Sequence, residues 1–535
     1  MLGMLADLTK GSWRYATGLR VFLGVTTDRA EAERVLTRQL QRREETFLQV
    51  LERGIYGNSN SPYRRLLLHA GFQFEDVQRL VKDEGLTGAL SRLHDAGVYM
   101  TLEEFKGRAP VKRPGLEFPV STQDFNNPLL TVHYEGRTGG SRGGGTRVPI
   151  DFDLLVHETA SFLISLHACG VADRPPVIWS EGPPGALGLK WALLFGRMAR
   201  QIKWFTPAKP KWNRQGIQGR LLMAYTVLAS RLHRQAVAWP VFEPDVRRIA
   251  NYLADAVGRG HPALVLGTPS QWVRLCLAAE EAGLDIAGTV FWGGGEPFTE
   301  GKAAVLERTG TRAIISYAMA EAAAITHACG APSGPDDMHL LVDKLAVLTR
   351  RMYIESGLEV DTLAYTSLLT SASKLMLNVE SGDYAVLDER DCGCLWQQLG
   401  FTTHMHDVRS YEKLTSESVM FMGSMLHELL EQTLPSRFGG SPTDYQLVEE
   451  EEGGLPRVSI LVSPRVGPVD EQAVVETVLQ SVGFSDWSRR MGEMWRRAGT
   501  LRVRRQEPYA TTRGKILPLH ILGSTERQGV NVNQR

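Results

Sequence analysis

The sequence predicts an α/β fold, with a large N-terminal domain built mostly on parallel sheets and a smaller α+β domain at the C-terminus. From about residue 120, short apolar runs alternate with helical stretches, a pattern typical of strand–loop–helix units whose strands pair in parallel. Beyond residue 410 a shorter unit begins, with helices and a strand of its own. A chain of 535 residues is long enough for about two to four domains.

Taken in order, the chain begins with helices: residues 28–54 repeat apolar side chains at three- and four-residue spacing, and helical patterns continue to about residue 100. Strands that each run into a loop are then predicted at 263–270, 288–297 and 312–321. In parallel sheets, ligands bind beyond the carboxyl ends of the strands, where these loops fall. In the C-terminal unit we predict helices over 414–433, a strand over 457–464, helices over 469–497 and a basic tail.

Composition excludes several classes of protein. Lys+Arg and Asp+Glu both number 60, so the charge gives no reason to expect a nucleic-acid partner. No apolar run approaches the ~20 residues of a membrane span, and the N-terminus lacks the basic and apolar regions of a signal peptide. Five cysteines are too few for a disulfide scaffold and indicate a reducing compartment. We therefore expect a cytoplasmic protein without a membrane or nucleic-acid partner.

The stretch "YEGRTGGSRGGGTRV" (134–148) is costly to order, because glycine loses more backbone freedom on folding than any other residue. Backbone N–H groups in such a loop can turn inward and cradle phosphate oxygens, with hydroxyl donors added by Thr138, Ser141 and Thr146. The Walker pattern is excluded because the loop does not end in Gly-Lys-Ser/Thr. A mobile surface loop is the alternative when the stretch is taken alone.

The segment "TGGSRGGGTRV" resembles the phosphate loop of the acyl-adenylate-forming enzymes, and its tail is most similar to the phenylacetate–CoA ligase-like branch. Thr138, Gly140, Ser141 and Gly143 match the pattern of that loop, whereas Gly139 and Arg142 replace hydroxyl residues. The resemblance implies ATP-dependent activation of a small or aromatic carboxylic acid as an acyl-adenylate. The acyl group would then pass to coenzyme A, a carrier-protein thiol or an amine.

Four further stretches follow in the order that this family shows. "GGGEP", with Gly295, Glu296 and Pro297, resembles the element that lines the adenine pocket. "YAMAE" resembles the motif whose tyrosine, here Tyr317, packs on adenine and whose glutamate, here Glu321, holds magnesium.

"SGD" supplies Asp383 for the ribose hydroxyls, and "PYATTRGKIL" supplies Lys515, which would bridge the substrate carboxylate and the α-phosphate. Each motif alone is weak, but five in the correct order are specific, and the resemblance covers essentially the whole chain.

The resemblance also implies a boundary between an ATP- and substrate-binding domain, 1–409, and a mobile C-terminal domain, 410–535. The family hinge is represented by Arg409, but Tyr411 stands where an aspartate is usual. Ala318 and Ala320 replace a glycine and a hydroxyl residue. These departures motivate a second hypothesis, a degenerate adenylate-binding protein without turnover. The sequence leaves open whether the chain forms an oligomer.

Three thiols and one imidazole, Cys329, His339, Cys392 and Cys394, form a set that suits tetrahedral zinc. The stretches "ACGAPSGPDDMH" and "DCGC" resemble matching stretches of the phenylacetate–CoA ligase branch, which implies a structural zinc ion. The alternative is buried free thiols that behave as small hydrophobic groups, as we expect for Cys169 and Cys276. Two histidines in "THMHD" (403–407) would lie on one face of a strand, a spacing that also suits a metal ligand pair or a general base. We interpret the stretch as a strand entering the hinge with one solvated face.

Overall fold

The computed structural model describes residues 2–137, 147–183, 186–207, 214–233, 237–296, 298–353, 359–410, 414–416, 419–421, 423–452, 455–481, 501–511 and 514–521. Within these residues the α-helices are α1 (Leu2–Leu23), α2 (Arg29–Gln41), α3 (Arg43–Gln49), α4 (Pro62–His69), α5 (Phe74–Asp95), α6 (Leu102–Phe105), α7 (Phe152–Ala168), α8 (Ala186–Arg197), α9 (Arg214–Leu232), α10 (Val246–Gly258), α11 (Pro269–Glu281), α12 (Glu300–Arg308), α13 (Leu395–Gln398), α14 (Gly423–Glu428), α15 (Leu434–Phe438) and α16 (Glu471–Ser481).

The strands in the first half of the chain are β1 (Val111–Arg113), β2 (Leu116–Phe118), β3 (Tyr134–Arg137), β4 (Arg147–Ile150), β5 (Pro176–Trp179), β6 (Lys203–Thr206), β7 (Val241–Phe242), β8 (Leu264–Gly267), β9 (Val290–Gly293) and β10 (Arg312–Ile315). Those that follow are β11 (Ala318–Met319), β12 (Ala323–Ala324), β13 (Thr326–Ala328), β14 (Met338–Leu340), β15 (Leu345–Tyr353), β16 (Glu359–Ser367), β17 (Val379–Glu389), β18 (Thr403–Ser410), β19 (Leu414–Ser416), β20 (Val419–Phe421), β21 (Tyr445–Glu452), β22 (Leu455–Val462), β23 (Leu501–Arg505) and β24 (Leu519–Ile521).

A six-stranded parallel sheet forms the centre of the large unit, in the order β10-β9-β8-β5-β6-β7. Successive residues of its strands face opposite sides. Leu264 and Leu266 pack in one hydrophobic cluster, and Val265 between them packs in another. Helices cover both faces, with α7 and α8 on one side and α10, α11 and α12 on the other. The apolar strand runs of the sequence are therefore those of a sheet buried on both faces.

A second six-stranded sheet, β13-β14-β18-β17-β16-β15, is antiparallel. It packs against α3, α4 and α5 in a cluster that includes Phe47, Leu90 and Tyr365. Strand β17 pairs with β18 so that Asp383 lies opposite Ser410. This sheet brings Asp383 towards the edge at which the parallel strands end.

The C-terminal unit contains the four-stranded sheet β23-β22-β21-β24, packed on α14, α15 and α16 around Leu430, Tyr445 and Ile460. The predicted fold class is confirmed: a large α/β unit with a parallel sheet is followed by a smaller α+β unit. The boundary at 409/410 stays a prediction. No helix within the described ranges is long and apolar enough to cross a lipid bilayer.

One predicted element is wrong. The helix expected from residue 414 begins only at Gly423, because β19 and β20 come first and form a small antiparallel hairpin. Three-residue strands are too short for their period of two to be distinguished from helical spacing in the sequence.

Candidate active site at the ends of the parallel strands

Neighbouring parallel strands end where the three predicted loops begin. Strands β8, β9 and β10 end at Gly267, Gly293 and Ile315, and Ser316 N–H donates to the Gly293 carbonyl over 2.9 Å. A Cβ atom on Gly293 would lie 1.9 Å from the Gly267 carbonyl oxygen, and one on Gly294 would lie 2.0 Å from that of Ser316. Glycine is thus required at these two positions by the close approach of the strand ends.

Tyr317 and Asp383, expected at the adenine and the ribose, are brought together. The Tyr317 hydroxyl donates to Asp383 Oδ2 over 2.5 Å, and the Tyr317 N–H donates to Thr326 Oγ1 over 2.9 Å. Burial, with the nearby Tyr365 and Asp383, raises the pKa of Tyr317 well above 10, so the hydroxyl keeps its proton. Both residues line a cavity of about 430 Å³ together with Glu296 and Glu321.

The Glu296 carboxylate lies at the start of α11. It accepts hydrogen bonds from the N–H of Ser270 over 2.7 Å and from the Ser270 hydroxyl over 2.6 Å. The side chain is only 4% exposed, and the Lys302 ammonium lies 4.0 Å away. Glu296 therefore borders the cavity while its charge is engaged by a helix N-terminus and a buried lysine. Pro297, expected in the same element, lies outside the described residues.

Glu321 is 3% exposed on its side chain and forms an ion pair of 2.6 Å with Lys106. Lys374 adds a second positive charge nearby, although burial lowers the pKa of Lys374 to about 8. The residues fit magnesium in the way this ion usually binds beside nucleotides, through one carboxylate and the phosphates. Glu321 can supply that carboxylate, but Ala320 supplies no oxygen from its side chain, and one Glu321 oxygen is paired with Lys106.

Lys515 reaches this edge from the C-terminal unit. Its Nζ donates to the Gly295 carbonyl over 2.8 Å. The preceding Gly514 has a φ of +80° and accepts a hydrogen bond from Arg274 on α11 over 3.2 Å. A Cβ atom on Gly514 would lie 2.8 Å from the side chain of Gln271, so glycine is needed there both for φ and for space.

A second cavity, of about 220 Å³, shares Gly295, Ser316, Ala318 and Met319 with the first. Lys515 lines this second cavity beside Gly295, in the wall that the two cavities share. Its other walls are largely aromatic and aliphatic, with Tyr134, Phe162, Trp179, Trp191, Leu194 and Trp292. Its polar lining includes Glu158, Lys190 and His327, which no sequence motif had indicated.

The glycine loop itself, with Thr138, Gly140, Ser141, Gly143 and Thr146, lies outside the described residues. The strands on either side of it, β3 and β4, pair in antiparallel register with Arg137 opposite Arg147. Tyr134 and Val148 from these strands line the 220 Å³ cavity. The backbone of Arg409 belongs to β18, but its side chain lies outside the described part of the chain.

The four predicted zinc ligands converge. One ligand atom from each of Cys329, His339, Cys392 and Cys394 lies within 4.8 Å of the others. His339 Nε2 is 3.2 Å from the Cys394 sulfur and 3.5 Å from the Cys392 sulfur. A hydrogen bond between two of the thiols raises the pKa of Cys329 and lowers that of Cys394. Three sulfurs and one imidazole nitrogen at this spacing fit a tetrahedral zinc ion.

Two further residues at this cluster were not anticipated in that role. Asp337 accepts from His404 Nδ1 over 2.7 Å and also pairs with Arg390. The His404 ring lies 4.1 Å from that of His339, and its side chain is 1% exposed. The face of β18 that we expected to be solvated is therefore buried at His404 and contacts the surroundings of the cysteines.

Comparison with known proteins gives a likeness of fold. No family model matches the sequence, and neither does any curated protein. A crystal structure of 2-hydroxyisobutyryl-CoA ligase in the postadenylation state, in complex with R3-HIB-AMP, matches with a TM-score of 0.53 at 16% identity, over 95% of this chain and 93% of that one. The same ligase in complex with 2-HIB-AMP matches with a TM-score of 0.50 at 17% identity and the same coverage.

The chain has the fold of these ligases. The expected class of fold is thereby confirmed, while the phenylacetate–CoA ligase-like branch stays a prediction. At this level of sequence identity the likeness shows only that the architecture is shared. A catalytic activity has to be argued from the residues of this chain.

Proposed function

We propose that this protein activates a small carboxylic acid with ATP as an acyl-adenylate and then transfers the acyl group to a thiol or an amine. One contact carries the proposal: the Lys515 ammonium meets the Gly295 carbonyl at the wall shared by the two cavities. The larger cavity, with Tyr317 and Asp383, suits a nucleoside. The smaller and mainly apolar cavity suits the body of an acid.

In the first half-reaction, a carboxylate oxygen attacks the α-phosphorus of ATP. A P–O bond to the acid forms, the P–O bond to the β-phosphate breaks, and pyrophosphate leaves with the electron pair. No proton has to move, so the residues need only orient the reactants and stabilise negative charge. Lys515 would contact the carboxylate and the α-phosphate as a positive clamp.

The nucleoside contacts follow from the larger cavity. Asp383 would accept hydrogen bonds from the ribose hydroxyls, since a carboxylate is an acceptor only, and Tyr317 would pack on the adenine. Gly295, Glu296 and Pro297 would form the wall beside the base. The glycine loop would supply donors to the phosphates from Thr138, Ser141, Thr146 and the backbone at Gly140 and Gly143, and Arg409 would act at the hinge.

Magnesium, held by Glu321 together with the phosphates, would neutralise charge on the oxygens of ATP. In the second half-reaction the sulfur of coenzyme A or a carrier protein, or an amine nitrogen, attacks the acyl carbon. The bond to AMP breaks, and the nucleophile loses its proton. Rotation of the region 410–535 would carry Lys515 away and admit this acceptor. We place the reaction in the cytoplasm, where ATP and reduced thiols are available.

Zinc bound by Cys329, His339, Cys392 and Cys394 would have a structural role. Four protein ligands complete a tetrahedral shell, and a closed shell leaves no position for a substrate. The site would join β13 and β14 to the segment before α13, and it would hold the antiparallel sheet against α7 and Trp396.

A second candidate, an adenylate-binding protein without turnover, is favoured by one contact. Lys106 occupies one oxygen of Glu321, and Ala318 and Ala320 reduce the polar groups beside it. The placement of Lys515 supports the enzyme over this alternative, because a binder needs no ammonium at the wall between the two cavities.

The test compares the two half-reactions in Lys515→Ala. We expect acid-dependent exchange of pyrophosphate into ATP to fall by a factor of hundreds to about a thousand, the loss of roughly 3–4 kcal/mol that removal of one oriented donor causes. Transfer from a chemically made acyl-adenylate should persist. Lys112→Ala, which removes an exposed lysine, is the control. Equal loss of both half-reactions, or of neither, contradicts the role of Lys515, and no exchange with any acid in the wild type favours the binder.

A further inference from the structure

The small cavity carries a charge that the adenylation chemistry does not use. Lys190 on α8 lines the cavity, and its ammonium forms an ion pair of 2.5 Å with Glu158, whose side chain is 2% exposed. The other oxygen of Glu158 is taken by Lys344, also over 2.5 Å. Two ammonium groups thus share one carboxylate, which leaves this cluster with one positive charge in excess.

Two neighbouring groups, His327 and Asp343, bear on that charge. His327 also lines the cavity, and burial lowers the pKa of His327 to about 3, so its ring is neutral at physiological pH. A further buried carboxylate, Asp343, lies 2.6 Å from His157 Nε2 and attracts Arg43. The carboxylate that pairs with Lys190 among the described residues is therefore the one that it shares with Lys344.

The two lysines differ in what they face. Lys344 is 3% exposed and does not line the cavity, whereas Lys190 is 19% exposed and does. An ammonium has three N–H donors, and Glu158 is the acceptor that the described residues provide for Lys190. Donors remain available to a group inside the cavity, and an anion there would compensate a charge that is otherwise costly beside aromatic walls.

His327 adds a second unsatisfied group at the same cavity. Ser161 donates its hydroxyl proton to the Glu158 carbonyl, so the Ser161 oxygen accepts from His327 Nε2 over 3.3 Å. That assignment leaves His327 Nδ1 as an acceptor without a partner among the described residues. The wall of this mainly apolar cavity therefore offers unused donors at Lys190, which suit a carboxylate, and an unused acceptor at His327 Nδ1, which suits a hydroxyl or N–H group.

We propose that the acid activated by this protein carries a second carboxylate, and that Lys190 binds it while Lys515 binds the carboxylate that reacts. This inference rests on the proposed function and names its substrate class: a small dicarboxylic acid with an apolar, aromatic or short aliphatic, body. Lys190 is then the residue that determines specificity. Without a second anion in the cavity, Lys190 would have only the carboxylate that it shares with Lys344 to offset its charge beside Trp191 and Leu194.

The experiment measures kcat/KM in acid-dependent pyrophosphate exchange for benzoic acid, its three dicarboxylic isomers and 3-hydroxybenzoic acid, and for butyric, succinic and glutaric acids. At least one diacid should exceed its monoacid by about tenfold or more, as a charge-assisted contact would give. Lys190→Met should remove that preference, and Lys190→Arg should restore part of it. Lys344→Met removes an equally close partner of Glu158 outside the cavity. It reduces the shared charge but keeps the donors of Lys190, so the preference for the diacid should fall less than in Lys190→Met.

Thermal melting of each variant shows that it is folded, and the rise in melting temperature caused by the diacid alone gives a readout that does not depend on turnover. If the wild type activates a monoacid or the hydroxy acid as efficiently as its best diacid, the inference is overturned and the proposed function stays intact. An equal loss of all acids in Lys190→Met overturns the inference in the same way. If no acid supports exchange, the proposed function fails. A diacid-specific melting shift that Lys190→Met abolishes would then still support the second-carboxylate site, and its absence would refute it.

Discussion

Lys302→Met tests the contact that joins the two units beside the candidate site. Lys302 on α12 is 1% exposed and forms an ion pair of 2.9 Å with Glu431, which lies between α14 and α15 of the C-terminal unit. Glu431 also accepts from Thr299 over 2.5 Å and bonds with His427 over 3.0 Å. Methionine keeps most of the length of lysine but removes the charge, so a buried carboxylate would lose its principal partner.

The magnitude follows from the pKa of Glu431. Burial alone would raise this pKa, but attraction to Lys302 and hydrogen bonds with His427 and Thr299 lower it from 4.5 to about 2. One pKa unit corresponds to about 1.4 kcal/mol, so the interactions of the ionised form contribute about 3 kcal/mol. Removing one partner of a buried ion pair typically costs about 3–5 kcal/mol, which agrees. We expect Lys302→Met to lower the free energy of unfolding by about that amount.

Denaturant unfolding at pH 7 measures this loss, and a pH series tests its cause. Because the folded-state pKa of Glu431 lies below its ordinary value, the stabilisation is complete above about pH 4.5 and is lost as the pH falls towards 2. The difference between wild type and variant should shrink over that window. The control, Arg308→Met on the same helix, removes an exposed pair with Glu280 and should cost about 0–1 kcal/mol. A Lys302→Met variant as stable as this control would refute the reasoning.

Three further predictions follow from the site. ATP or AMP should raise the melting temperature by binding the folded state, and Asp383→Ala should reduce this rise; an unchanged rise contradicts the ribose contact. Purified protein should hold about one zinc ion per chain by elemental analysis, and Cys392→Ser with Cys394→Ser should lose the ion and lower stability, whereas stable metal-free wild type speaks against the site. Lys106→Met should free an oxygen of Glu321 and lower the magnesium concentration that gives half-maximal pyrophosphate exchange; a higher requirement would mean that Lys106 assists binding of ATP and magnesium.

The sequence by itself determined the class of fold, because the evidence for it is local. The runs that became β8 and β9 are apolar throughout, and a helical pattern follows each of them. Apolar strands that alternate with helices are typical of a parallel sheet with helices on both faces. The start of α11 is equally local, since Thr268 and Gln271 form a capping box and Pro269 occupies the first turn. Tyr317, Asp383 and Lys515 lie at one edge of the sheet. Their motifs follow one another along the chain in the order that the resemblance implies.

Only the tertiary structure decided which charges meet. Lys106 is 215 positions from Glu321, and Lys344 is 186 positions from Glu158. Neither pairing leaves a pattern in the sequence, because periodicity reports which face of an element is buried and not which element covers it. A charged side chain is tolerated in the interior only where a partner from elsewhere in the chain compensates it. For that reason the smaller cavity, the Lys190 ammonium in its wall and the ion pair of Glu321 with Lys106 depend on the packing of distant segments and not on any motif.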